Sequence, residues 1–234
     1  MDFPDRFHAE FFVLNYFNLG NAIIGNLADN WVMVTSSSCP FWVKNRLFPT
    51  TLRMSAFGVP PKPVDAWGQR LGAREGFRVG LVWAGSPKNP NDRNRSIASE
   101  LFRLLVEAPG VSAFSLMVGR DGEASRVFGD GVVDLEEYLT DFSETAAAIA
   151  NMDLVISVDT AVAHVAGALG VPVWTLLPYT AYWLWMLERD DTPWYPSMRL
   201  FRQEKRKEWA SVLERVAAEL ADRVQGARNN GGNT

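Results

Sequence analysis

Asp153-Leu-Val-Ile-Ser-Val-Asp-Thr-Ala-Val-Ala-His-Val-Ala-Gly-Ala-Leu-Gly-Val-Pro-Val-Trp174 decides the fold of this chain. Leu154 to Val158 are mostly aliphatic or β-branched, the composition of a strand covered on both faces of a parallel sheet. Thr160 to Leu169 reads as a helix, and Ala161, Ala163, Ala166, Gly167 and Ala168 let its backbone lie close to a sheet or a ligand. Gly170 suits the left-handed residue that ends a helix, Pro172 forbids its continuation, and a second buried strand follows. In an open α/β sheet such a strand-to-helix corner lies on the ligand side, at the carboxyl ends of the strands. The free amides of the helix start and the helix dipole attract phosphate there. Thr160 and His164, four residues apart, share one helix face, so a single ligand can touch both.

Working outward, the same alternation recurs. Asp65–Leu71 reads as a helix, Arg78–Trp83 as a strand, Glu100–Glu107 as a helix and Val111–Val118 as a strand. Val132–Leu135 reads as a short strand, Ser143–Asn151 as a helix capped by Ser143, and Met198–Phe201 as a last short strand. The amphipathic helix Glu208–Val224 closes the series, and an Asn- and Gly-rich tail from Gly226, residues 227–234 above all, is expected to be disordered. This order predicts an α/β domain over residues 63–226 with a doubly wound parallel sheet of Rossmann type. The first 62 residues are less regular: Phe7–Leu27 reads as a helix weakened by Gly20 and Gly25, and Trp31–Thr35 as a short strand. Ser36-Ser37-Ser38 is turn-like, and Val59-Pro-Pro-Lys-Pro63 reads as a stiff connector that marks the domain boundary.

The composition excludes several classes. With 47% hydrophobic and 21% charged residues in 234, the chain is globular rather than disordered. A net charge of −4 gives no general attraction for nucleic acid. Cys39 is the sole cysteine, which excludes an intrachain disulfide and a cysteine-built zinc site and fits a reducing cytoplasm. His8 and His164, the two histidines, are too far apart in sequence to suggest a metal pair, so no metal and no cofactor are expected. Asn15, Asn18, Asn21 and Asn26 interrupt the apolar stretch near the amino terminus, so no membrane span is expected there.

Chemistry-bearing residues gather at four places. Ala84–Ser96 follows the first strand of the regular half and offers Gly85 with donors from Ser86, Lys88, Arg93, Arg95 and Ser96. Guanidinium groups suit a diphosphate because they stay charged and bind its oxygens in pairs. The loop has neither Walker spacing nor Gly-x-Gly-x-x-Gly, and a solvated charged loop explains the same residues equally well. Asp159 suits a helix cap or an acceptor for a sugar hydroxyl; its charge argues against a phosphate ligand. His164 reads as a buried, satisfied histidine or as a ligand contact through its alignment with Thr160. Glu123, in Gly119-Arg-Asp-Gly-Glu123 beyond a strand end, suits a ribose hydroxyl or is an ordinary surface acid. The aromatic segment Tyr179–Pro196 lines a cleft or packs a core. No Ser-His-Asp set or nucleophile elbow is present.

Three segments together resemble one family: Val79-Gly-Leu-Val-Trp-Ala-Gly-Ser-Pro87 with Asn91-Asp-Arg-Asn-Arg-Ser96, Asp153–Pro172, and Pro193-Trp-Tyr-Pro-Ser-Met-Arg-Leu-Phe-Arg-Gln203. They are similar to the carboxyl-terminal half of bacterial glycosyltransferases often fused to tetratricopeptide repeats, relatives of the ADP-heptose heptosyltransferases of glycosyltransferase family 9. The resemblance runs over roughly Leu71–Ala221 and implies a GT-B architecture whose second Rossmann-like domain holds the nucleotide sugar. It implies donor contacts from Asp159, Thr160 and His164, with the diphosphate near Arg95 and ribose on Glu123; Ser86 and Arg93 of the loop and Ala161 of the corner complete the expected donor-binding set. Cys39-Pro-Phe and Phe48-Pro-Thr-Thr-Leu52 resemble the end of the family's first domain, so residues 1–62 are expected to be a short, incomplete remnant of it. The family's base is an acidic residue in a Gly-Asp loop; Asn18-Leu-Gly-Asn21 echoes that loop with an amide in place of the carboxylate, and no catalytic base is assigned.

The sequence therefore supports an inverting glycosyltransferase-type domain that binds a nucleotide-diphosphate sugar in a bacterial cytoplasm, with a glycan, lipid or protein as acceptor. A truncated product, a remnant, or one half completed by a partner chain or a tetratricopeptide-repeat protein all remain open. A non-catalytic nucleotide-binding or interaction module is the alternative. A different Rossmann-type enzyme is disfavoured by the absence of Gly-x-Gly-x-x-Gly and of a Tyr-x-x-x-Lys pair.

Overall fold

The computed structural model describes residues 31–36, 39–44, 59, 61–72, 76–89 and 91–231. The chain divides into two compact units, one of Met1–Thr50 with Ala56–Gly58, the other of Thr51–Ser55 with Val59–Thr234. In the first, β1 (Trp31–Ser36) and β2 (Cys39–Lys44) pair antiparallel, with Trp31 opposite Lys44 and Ser36 opposite Cys39. The Trp31–Thr35 expectation is met. Phe7–Leu27, Asn18-Leu-Gly-Asn21, Ser37, Ser38 and Phe48–Leu52 lie outside the described residues.

The second unit opens with α1 (Pro61–Arg70), followed by β3 (Phe77–Val82), the short α2 (Asp92–Arg95) and a 3-10 turn at Ser99–Phe102 running into α3 (Arg103–Val106). Next come β4 (Val111–Ser115), α4 (Glu123–Phe128), β5 (Val132–Asp134), α5 (Phe142–Ile149), β6 (Leu154–Val158) and α6 (Ala161–Leu169). The series ends with β7 (Val173–Leu177), β8 (Met198–Arg202) and α7 (Ala210–Gly231).

These strands form a six-stranded sheet in the order β5-β4-β3-β6-β7-β8, and every pairing is parallel. Numbered from β3, this is the Rossmann order 3-2-1-4-5-6, as the alternation of elements predicts. Burial follows from topology. Every residue of β6 and β7 is buried, because each strand has neighbours on both sides and helices over both faces. Crossovers in such a sheet are right-handed, so reversing direction between β3 and β6 sends helices to opposite faces. Accordingly α1 packs on α5 and α5 on α6, while α3 packs on α7. Val212, Leu213, Val216, Leu220 and Val224 form the buried stripe of α7.

Several local expectations change. Pro61 and Pro63 open α1 rather than stiffening a connector, because the first helical turn needs no amide hydrogen bond. The 99–106 segment is a 3-10 turn followed by one α-turn, shorter than the continuous helix expected over 100–107. The cap of α5 is Asp141, not Ser143: its carboxylate accepts from the amides of Ser143 at 2.7 Å and Glu144 at 2.9 Å. The final helix continues through Gly231, so the tail expected to be disordered from Gly226 is helical as far as it is described. Gly170 holds φ at 74°, the left-handed stop expected of it. Among the described residues no helix is long and apolar enough to cross a membrane.

Candidate functional site

The strand order reverses between β3 and β6, and the crevice at their carboxyl ends is where an open α/β sheet takes its ligand. Val82 pairs with Ser157 at that end, so the segment after Val82 and the segment after Val158 emerge side by side. Ala84–Ser96 and Asp159-Thr160, separate in sequence, are neighbours for this reason.

Arg95 joins them. It is buried at 9% exposure, and its Nη1 donates to the Asp159 carbonyl at 2.6 Å. Its Nε donates to Asp92 Oδ1 at 3.3 Å, one turn back along α2. The guanidinium lies against Gly85, where a Cβ would stand 2.3 Å from Nη2, so the loop needs glycine there for close approach. The Gly85 amide donates to Ser96 Oγ at 3.1 Å, which closes the loop on itself. A third segment ties in: Arg120 Nη2 donates to the Gly85 carbonyl at 2.6 Å, and Trp83 Nε1 donates to Glu123 Oε1 at 3.1 Å. Glu136 fixes the turn that carries both, accepting from the amides of Arg120 at 2.6 Å, Asp121 at 3.2 Å and Gly122 at 2.8 Å. Burial works against the charged form of Glu136, but the Gly122, Arg120 and Asp121 amides prevail and hold its pKa below the ordinary carboxylate value.

The cap of α6 is Thr160, at φ −138° and ψ 171°, rather than Asp159. The Ser157 hydroxyl donates to the Val158 carbonyl at 2.7 Å, which leaves the Thr160 hydroxyl to donate back to Ser157 Oγ at 3.0 Å. Directed backward, the Thr160 hydroxyl makes no capping bond, and the first-turn amides of α6 receive no side-chain acceptor from it.

Asp159 is buried and places Oδ1 3.9 Å from His164 Nε2. His164 is itself buried at 4% exposure, and burial pushes its pKa down to about 4. Its Nδ1 meets the Tyr195 hydroxyl at 3.0 Å, and Trp185 stacks on the ring with centroids 5.1 Å apart. The histidine thus shares a helix with Thr160 but is enclosed by the aromatic segment.

The structure therefore brings together Arg95, Asp159, Thr160 and His164, with Glu123 reaching the same strand ends through Trp83. Ala161 is half-buried at the helix start, whereas Ser86 and Arg93 are exposed on the loop. The aromatic segment divides: Trp185 and Tyr195 are core, while Tyr179, Tyr182 and Trp183 are exposed. Arg120 and Tyr195 escape sequence reasoning. Arg120 sits in the very turn that carries Glu123, and its cationic charge was the signal; Tyr195 has no fixed spacing to His164 and only the fold aligns them. Among the described residues no three His, Cys, Asp or Glu side chains gather to hold a metal ion.

Comparisons with known proteins bear on the family pattern and the fold. The family model described as Glycosyltransferase family 9 (heptosyltransferase) matches residues 139–214, a span holding the Asp159-Thr160 corner, His164 and Tyr195 but not the Arg95 loop. The chain is 29% identical over 201 residues to Protein FlbA of Caulobacter vibrioides, covering 78% of this chain and 33% of FlbA. Among solved structures it resembles E. coli ADP-heptose lps heptosyltransferase II, with a TM-score of 0.54 at 16% identity over 74% of this chain and 54% of that one. It also resembles a glycosyl transferase family 9 protein from Veillonella parvula, with a TM-score of 0.52 at 15% identity over 72% of this chain and 54% of that one. The chain thus spans about a third of its FlbA relative and about half of these structural relatives. At such identities the structural likeness is one of fold. Residues 139–214 thus match the sequence pattern of glycosyltransferase family 9, and the α/β sheet around them has the fold of the heptosyltransferase structures.

Proposed function

We propose that the crevice between β3 and β6 binds the diphosphate of a nucleotide-sugar donor, and that the domain serves an inverting glycosyl transfer to an acceptor hydroxyl. The observation that carries this is the bond from Arg95 to the Asp159 carbonyl. A hydrogen bond to a carbonyl polarises its peptide unit, and the amide of that unit belongs to Thr160, at the start of α6. Positive charge, an amide made a better donor, and the positive end of a nine-residue helix then act at one place.

Arg95 acts at close range by its charge and by fixing the corner, since Nη1 and Nε are already engaged. Exposed Ser86, Lys88 and Arg93 are left to reach the outer phosphate oxygens. Glu123 keeps one carboxylate oxygen on Trp83 and offers the other to ribose hydroxyls. In the transfer, the acceptor oxygen forms a bond to the anomeric carbon as the bond to the donor phosphate breaks. Donors fixed in advance stabilise the charge gathering on the departing diphosphate, with neither metal nor cofactor invoked. The residue that takes the acceptor's proton is not assigned.

Nucleotide binding without transfer is a second reading, favoured by the enclosure of His164 beneath Trp185. Titration calorimetry of the purified chain with ADP, UDP and their sugars tests the first reading, which expects saturable binding of a nucleoside diphosphate. Absence of binding to all of them overturns it, and donor turnover by the purified chain removes the second reading.

A further inference from the structure

Behind the proposed donor corner lies a buried group with no role so far. Tyr195 comes from the segment between β7 and β8, yet its hydroxyl is 3.0 Å from His164 Nδ1. Its ring fills the space over Gly167, where a Cβ would stand 2.6 Å from Tyr195 Cγ. Glycine at that turn of α6 is thus what allows the tyrosine to reach the histidine. Trp185 stacks on the imidazole face at an interplanar angle of 26° and Tyr195 meets the ring at 67°, so two aromatic neighbours hold it.

Tautomer chemistry then favours one arrangement. Burial drives the His164 pKa down to about 4, so the ring is neutral near pH 7, with one N–H and one bare nitrogen. Burial also pushes the Tyr195 phenol upward, so it keeps its proton and can donate. On the opposite edge, Nε2 is 3.9 Å from a carboxylate oxygen of Asp159, a group that only accepts. A proton on Nδ1 would leave a bare Nε2 lone pair facing that carboxylate. A proton on Nε2 leaves Nδ1 to accept from Tyr195 and turns an N–H, rather than a lone pair, toward that carboxylate.

We propose that Tyr195 is a positioning residue that holds His164 as the Nε2–H tautomer, aims that N–H at Asp159, and so fixes the Asp159-Thr160 corner. Its effect on ligands rests on the donor-site reading above; the tautomer does not. Nitrogen-15 NMR of the histidines in the full chain reads the tautomer directly, with Tyr195→Phe as the variant and nucleoside diphosphate titration as the second readout. Wild-type protein is expected to show a pyrrole-type Nε2 and a pyridine-type Nδ1 for His164. Tyr195→Phe keeps the ring packing over Gly167 and is expected to give mixed tautomers. It should also weaken nucleoside diphosphate binding about fivefold, the scale of one ordinary hydrogen bond.

A proton on Nδ1 in the wild type overturns the proposal, and that result needs no variant to fold. Pure Nε2–H in a folded Tyr195→Phe overturns it as well. If the wild type binds nucleotide and the variant binds equally well, the link from tautomer to corner is refuted. Failure of the wild type to bind any nucleotide sinks the donor reading alone, because the spectra still decide the tautomer.

Discussion

Arg95 donates to the Asp159 carbonyl at 2.6 Å across 64 residues of sequence, so the side chain of one strand-end loop is bonded to the backbone of the other. The contact lies at the reversal of strand order, just beyond the Val82–Ser157 pair where the β3–β6 ladder ends. Arg95→Ala should remove a buried charge-assisted bond, leave the Asp92 carboxylate without this partner and destabilise the fold by ~2–3 kcal/mol. Arg95→Lys keeps the charge but not the planar fork and should recover only part of that loss. Urea unfolding of the three proteins measures it; an alanine variant as stable as wild type would show that the bond contributes nothing.

Two glycines make opposite predictions. At Gly167 an added methyl runs into the Tyr195 ring, with Cγ at 2.6 Å, so Gly167→Ala should cost ~1–3 kcal/mol by overpacking. At Gly226, inside α7, an added methyl meets nothing within 4 Å, and Gly226→Ala should stabilise by ~0.5–1 kcal/mol through helix propensity. Thermal melting of the two variants beside wild type should move in opposite directions; shifts of the same sign would contradict the packing described for α6.

The parallel sheet was legible because buried strands such as Leu154–Val158 are apolar throughout and because Gly170 and Pro172 punctuate them without ambiguity. Thr160 and His164 stood out in the sequence by their spacing, since residues four apart on a helix share a face, and Asp159 by its place at the strand-to-helix corner. What remained hidden depends on tertiary contact. Asp159 and Ser143 both looked like caps, but capping requires the residue to hold extended backbone at the helix boundary, and Thr160 and Asp141 occupy those places. The Asn- and Gly-rich composition after Gly226 suggested disorder, yet the helix begun by a buried apolar stripe continues to Gly231. The Tyr195–His164 pair joins two segments with no periodic relation, which no pattern in one sequence can display.

Trp83 and Glu123 provide a test of the third loop. Trp83 is 1% exposed, and the Glu123 carboxylate accepts its indole N–H at 3.1 Å. Glu123→Ala should cost ~1–3 kcal/mol by stripping a buried donor of its acceptor, while Glu123→Gln keeps a carbonyl in place and should cost less. Indole fluorescence during urea unfolding reports both; equal losses from Ala and Gln would mean that charge, not the acceptor, is what Trp83 requires.

Acid sensitivity follows from His164. Its pKa is about 4 in the folded chain, depressed by burial from the ordinary value of 6.5. Below pH 6.5 the unfolded chain takes up a proton that the folded chain refuses, so unfolding is progressively favoured as the pH falls. The loss ends once the folded state also protonates, near pH 4. Above pH 6.5 both states are neutral and the contribution is fully present. The depression corresponds to a loss on the order of 3 kcal/mol between those limits. Unfolding free energies at pH 7 and pH 4.5 should therefore differ by less in His164→Gln than in the wild type, because glutamine does not titrate. A pH dependence unchanged by that substitution would mean that the buried imidazole is not what acid attacks.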